Sequence, residues 1–173
     1  MTRPVTIIEP GTVKLERLLP GPVERVWAYI TESDKRVKWL CAGEFDLRVG
    51  GKVRLEFNNK RLAGNEAMPE KYQGREQNVS EGVITRLEPL RLLAHTWIWK
   101  GQDTEVSYEL QPRGKEVLLT IVHRRVQGRD LTASVMGGWD VHTGILADLL
   151  NGVEPRPFWK THSKLEAEYG ATL

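Results

Sequence analysis

The chain has a single cysteine, Cys41, among 173 residues. No intramolecular disulfide can form, so a reducing, cytoplasmic setting is expected. Histidine is nearly as scarce, with four residues. None stands at His-x-x-His spacing, and with one cysteine no zinc-binding pattern arises, so no metal is expected. Neither charge sign dominates: 25 Lys and Arg face 23 Asp and Glu, spread along the chain. That gives no electrostatic footprint for nucleic acid. No apolar run approaches the roughly 20 residues that span a bilayer, and "MTRPVTIIEPGTV" is no secretory signal, so no membrane insertion is expected. "GPVERV" and "VGGKV" lack the spacing of a phosphate loop, and neither Ser107 nor Ser134 sits in a nucleophile elbow. No cofactor is expected.

The residues that are present alternate. "TVKLERLL", 12–19, sets Val13 and Leu15 against Lys14 and Glu16 and predicts a strand. "VERVWAYI", 23–30, has one apolar face and predicts a short helix after Pro22; Ser33 would cap a second, through Trp39. Three hairpins then follow. "EFDLRV" and "KVRLEF" flank Gly50-Gly51; "EGVITRLEP" and "RLLAHTWIWK" meet at Pro89-Leu90; "TEVSYELQP" and "EVLLTIVHR" flank Arg113-Gly114-Lys115. The polar connection 58–80 is long enough to be a lid. A helix is predicted from near Asp130 to Leu150 and a tail helix over 158–170.

Within the long helix stands "MGGWDVHTGILADLL", with Gly137 and Gly138 beside Trp139. Each helical Gly costs about 1 kcal/mol relative to Ala. Two together imply either a close helix approach, a space left open beside the indole, or a local bend.

In order, "LPGPVERVWAYIT", "FDLRVGGKVRLEF", "EGVITRLEPLRLLAHTWIW", "VSYELQPRGKEVLLTIVHRRV" and "GGWDVHTGILADLL" resemble the activator of heat-shock-protein-90 ATPase homologue-like family. That family lies within the START-like, birch-pollen-allergen-like superfamily. The resemblance covers about residues 12–151. It implies an α+β helix-grip fold: a curved seven-stranded antiparallel sheet around a long C-terminal helix, with two short helices after the first strand. Residues 1–173 would form one domain, with 152–173 an extension that either covers a cavity mouth or makes a homodimer contact.

Alternation then sorts the inner face. Leu93, His95, Trp97 and Trp99 share one side of their strand; Val106, Tyr108 and Leu110 share one side of the next. Val83, Thr85 and Leu87 would join them. The resemblance places Val117, Leu119, Ile121 and His123 inward, and the helix adds Trp139, His142 and Leu146. The expected cavity lining is therefore Thr85, Leu93, His95, Trp97, Trp99, Val106, Tyr108, Leu119, Ile121, His123, Trp139, His142 and Leu146. Aromatic walls with few polar handles are the character of a ligand pocket, although such residues also build ordinary cores. Three functions stay open. The first is binding of a small apolar or amphipathic molecule. The second is a cyclase, dehydratase or hydrolase using His95, Tyr108 or His123 as acid or base. The third is a stress or chaperone-accessory interaction module.

Overall fold

The computed structural model describes residues 3–74, 77–99 and 101–173. The chain runs β1 Val5–Glu9, β2 Thr12–Pro20, α1 Val23–Thr31, α2 Ser33–Arg36, β3 Lys52–Asn58, α3 Asn59–Ala63, β4 Gln77–Glu88, β5 Leu92–Trp99, β6 Gln102–Arg113, β7 Glu116–Arg124, α4 Arg129–Leu150 and α5 Phe158–Gly170. All seven strands form one sheet in the order β1-β2-β7-β6-β5-β4-β3, each pair antiparallel. The curved sheet grips α4, and this is the helix-grip architecture. Helices α1 and α2 carry the chain from β2, near one edge, to β3 at the other.

The core lies between the concave sheet face and α4. Leu15 and Leu19 of β2, Leu93 of β5, Val106 and Tyr108 of β6, and Leu119 and Ile121 of β7 are all buried there. They meet Val141, Ile145 and Leu146 of α4. Each is the inward half of an alternating strand or the inner stripe of a helix, as period-two and helical spacing require.

Two differences from the expected strands have local causes. Residues 44–49 are not a regular strand; isolated antiparallel bridges, Ala42 to Glu56 and Phe45 to Val53, and bonds from the Asp46 N–H to the Lys52 carbonyl and the Arg54 N–H to the Glu44 carbonyl tie this region to β3. Gly43 and Gly50 interrupt it at φ +116° and +84°, and only Phe45 within it is held in the core. The Gly50 N–H donates to the Ile84 carbonyl and the Gly51 N–H to the Arg48 carbonyl, so the chain does turn back onto β3 at Gly50-Gly51, but with irregular pairing in place of a regular two-strand ladder. The seventh strand is β1, whose pairing with β2 follows the turn at Pro10-Gly11.

Helix α2 ends at Arg36 and gives way to turns through Trp39. Ser33 is not its cap but its first residue, and its hydroxyl accepts the Gly43 N–H at 2.9 Å. Connection 58–80 is more structured than its polarity suggests. It holds α3, a single 3-10 turn at Glu70–Tyr72 and the start of β4. It is fastened to α5: Glu66 accepts the Trp159 and Lys160 N–H groups at 3.0 and 2.5 Å, capping that helix.

An ionic group is buried where α4 crosses β2. Arg17 is in phase with Val13 and Leu15 and therefore points inward. Its guanidinium reaches Asp140 Oδ1 at 2.8 Å and Thr143 Oγ1 at 2.9 Å. Tyr169 of α5 donates to the other carboxylate oxygen at 2.6 Å. One carboxylate thus joins sheet, α4 and α5.

Candidate functional site

A cavity of about 80 Å³ opens between β5, β7, α4 and α5. Phe57, Trp97, Trp99 and His123 form its sheet wall, and Ser134, Gly138, Trp139 and His142 its helix wall. The α5 residues Phe158, Trp159 and His162 close the far side, with Tyr72 of the 3-10 turn. Aromatic rings make most of this surface. Phe57 stacks on Trp97 with centroids 5.2 Å apart, Trp97 meets Trp99 edge-on at 4.6 Å, and Tyr72 stacks on Trp159 at 5.1 Å.

The two glycines do different things. A methyl at Gly137 would lie 3.0 Å from the Glu166 backbone nitrogen and 3.2 Å from its Cα. Bare backbone there lets α5 dock closely on α4. A methyl at Gly138 would have no neighbour within 4 Å, so that glycine leaves space open at the cavity wall. One glycine therefore brings the cover close, and the other keeps room beneath it.

Of the expected lining, Trp97, Trp99, His123, Trp139 and His142 come together at the cavity. Leu93, His95, Val106, Tyr108, Leu119, Ile121 and Leu146 lie in the packed core instead, away from the cavity wall. Thr85 is not on the inner face at all. The register of β4 shifts between Ile84 and Arg86, so a bulge breaks strict alternation. Ile84 faces inward opposite His95 and Leu87 faces inward opposite Leu93. Val83 is exposed, and Thr85 bonds outward to Glu105 at 3.2 Å.

The cavity residues not anticipated include Phe57, Tyr72, Phe158, Trp159 and His162. Phe57 is in phase with the buried Val53 and Leu55, a signal available in the sequence. Phe158 and Trp159 stand four and three residues before His162, spacings that place each beside it on the helix, again a readable pattern.

The buried imidazoles are committed to hydrogen bonds that fix their tautomers. The Trp139 indole can only donate, so it donates to His123 Nδ1, at 3.1 Å. His123 Nε2–H then donates to Thr104 Oγ1 at 2.8 Å, and the Thr104 hydroxyl to the Trp97 carbonyl at 2.6 Å. His95 Nδ1–H donates to the Thr96 carbonyl at 3.0 Å, while Nε2 faces the Tyr108 hydroxyl at 3.3 Å. His142 Nδ1–H donates to the Trp39 carbonyl at 2.7 Å. Burial pushes His95 and His142 down to about 4 and His123 to about 3. All three are neutral at physiological pH. Desolvation also lowers His162, against the pull of Glu166, and raises the Tyr108 hydroxyl. Cys41 is buried and its thiol is pushed up to about 11 by desolvation, which leaves it without nucleophilic character.

Among the described residues no group of three or more His, Cys, Asp or Glu is placed to hold a metal ion. No helix among them is long and apolar enough to cross a membrane.

The family model for activator of Hsp90 ATPase homolog 1-like protein matches residues 20–151. The chain belongs to that family. Its solved relatives include a protein encoded by gene BPP1335 from Bordetella parapertussis, 36% identical, with a TM-score of 0.82 over 100% of this chain and 96% of that one. CalU16 from Micromonospora echinospora is 23% identical, with a TM-score of 0.68 over 92% of this chain and 86% of that one. DynU16, from the dynemicin biosynthetic locus, is 20% identical, with a TM-score of 0.65 over 85% of this chain and 49% of that one. The last two show a shared fold. No curated protein matches the chain.

Proposed function

We propose that this member of the family binds a small, largely apolar molecule in the cavity between the β5 aromatic wall and α5. The observation that carries the reading is the aromatic-walled space beside Gly138, where the helix gives up a side chain and nothing fills the gap. A well-packed core leaves few voids, and an unfilled one costs stability. Keeping such a space is expected of a binding site. One neighbour in fold, DynU16, comes from a biosynthetic locus, which is in keeping with small-molecule work.

The space is small. An engineered cavity of about 150 Å³ holds benzene, so a ring-sized ligand requires the Tyr72–Trp159 cover to shift outward. That cover is held by ring packing of Tyr72 on Trp159 and by polar ties, with Lys71 and Tyr72 both bonding to Glu166, and both must give for such a ligand to enter.

Acid–base catalysis by His95, Tyr108 or His123 has weaker support. The first two lie outside the cavity, and both ring nitrogens of His123 are already engaged. General catalysis needs a group within hydrogen-bond reach of the substrate.

Substitution of the two glycines tests the reading. Gly138→Ala is expected to raise stability by up to about 1 kcal/mol, since the methyl meets nothing and helix propensity improves. Gly138→Leu should fill the cavity and abolish binding of a small neutral probe such as toluene, followed by calorimetry. Gly137→Leu should cost about 1–3 kcal/mol, because it strikes the backbone of α5. Equal toluene binding to the wild type and Gly138→Leu, or a wild type that binds neither toluene nor cyclohexanone, would sink the proposal.

A further inference from the structure

The cavity wall carries polar hydrogens with nothing to receive them. The indole nitrogens of Trp97, Trp99 and Trp159 are buried without a hydrogen-bond partner, and all three residues line the cavity. Trp97 and Trp159 are only 3% and 4% exposed. Indole N–H is a donor and nothing else, and a buried donor left unmet is a rare and costly feature. The other two deeply buried tryptophans do not share it: Trp39 donates to the Tyr29 carbonyl at 2.8 Å and Trp139 to His123 at 3.1 Å. Among the deeply buried tryptophans, the unmet indole donors are therefore those at the cavity.

Acceptors are available on the same wall. Asn59 lines the cavity with its Oδ1 buried and without a partner. His142 carries its proton on Nδ1, bonded to the Trp39 carbonyl, so its neutral ring offers Nε2 as an acceptor. No Lys, Arg, Asp or Glu lines the cavity, so a charged ligand would lose its hydration with no opposite charge to meet it.

Resting on the binding role proposed above, we infer that the ligand is a neutral oxygenated ring compound. Its carbonyl or ether oxygens accept from the indole N–H groups, and any hydroxyl it carries finds Asn59 Oδ1 or His142 Nε2 as acceptor. The aromatic wall takes the ring faces and edges, and the orphaned indoles orient the oxygens. A plain hydrocarbon would leave all three donors unmet.

Two probes of the same shape separate this from simple apolar binding: cyclohexanone and methylenecyclohexane, which differ by an oxygen in place of a CH₂ group. A purely apolar cavity favours the hydrocarbon, because it is the more hydrophobic of the two. Cyclohexanone is expected to bind about tenfold more tightly, the effect of one well-made hydrogen bond in a buried site. In ¹⁵N-tryptophan spectra, assigned with single Trp→Phe variants, the indole protons of Trp97, Trp99 or Trp159 should move downfield with the ketone and not with the hydrocarbon. The Trp39 proton, already bonded, should stay in place. Benzoate is expected not to bind. Tighter binding of the hydrocarbon with unmoved indole protons would overturn the inference and leave the cavity's binding role intact, as would tighter binding of benzoate than of cyclohexanone. If none of the three binds, the binding role itself falls, and the inference with it.

Discussion

Acidification from pH 7 to pH 4 should unfold the protein, with the steepest loss of stability below pH 6. His95, His123 and His142 are buried as neutral rings, at about 4, 3 and 4, against about 6.5 for an exposed imidazole. Burial is the first cause in each case. The folded state therefore holds fewer protons than the unfolded chain between about pH 6.5 and pH 4. By linkage, stability rises with pH across that window and is lost as pH falls through it. Acidification through that window removes on the order of 3 kcal/mol of stability per ring by this reckoning. Three such rings are comparable with the whole stability of a typical domain, about 5–15 kcal/mol. Urea titrations at intervals from pH 7 to pH 4.5 measure this directly. A nearly flat profile over that range would show that the rings are not held neutral by the fold.

The second large effect is expected at Asp140. The side chains of Arg17 and Asp140 are 17% and 9% exposed, and Tyr169 closes the group from α5. Asp140→Ala leaves a guanidinium uncompensated beneath α4 and a tyrosine hydroxyl without its acceptor. Breaking a buried pair from one side costs about 3–5 kcal/mol. For a chain of this length that lowers Tm by on the order of 10 °C. The paired replacement Arg17→Met with Asp140→Leu should recover much of the loss, because it removes both charges together. Tyr169→Phe should cost less than Asp140→Ala, since it deletes one hydrogen bond and strands no charge. An Asp140→Ala protein within 1 kcal/mol of wild type, on the scale of an ordinary surface change, would show that the group does not tie the three elements together.

The sequence made the architecture legible because the relevant signals are local. Alternation placed Trp97 and Trp99 on the inner face of β5, the family resemblance placed His123 on that of β7, and helical spacing grouped Trp139 with His142. What it hid depends on contacts between distant segments. The β4 bulge is set by pairing with β5, and it moves Thr85 outward while leaving Leu87 inward. Strict period-two reading cannot see that shift. Strand β1 is five residues long, and Ile7 and Ile8 are both exposed, so its sequence shows no clean alternation. Only its pairing with β2 makes it a strand.

The far side of the cavity was hidden for a related reason. The aromatic face of α5 becomes part of the site only because Gly137 admits that helix against α4, and nothing in residues 158–170 names the partner. Conversely, His95, Tyr108, Leu119 and Ile121 share the inner face but lie under closely packed neighbours. A shared face does not distinguish the part of a core that is filled from the part that is open. Arg17 carried a readable sign, a charge in phase with Val13 and Leu15, yet its acceptor lies on another element 123 residues away.

The most direct test of the central claim is a crystal structure of the full chain purified without added small molecules, with the cavity inspected between Trp97, Trp99 and Trp159. The expected result is continuous density for a compact molecule, with oxygen atoms within hydrogen-bond distance of at least one of these indole nitrogens, and its loss in Gly138→Leu. Ordered waters on all three indole nitrogens, in a cavity that soaked cyclohexanone and toluene both fail to enter, would contradict it.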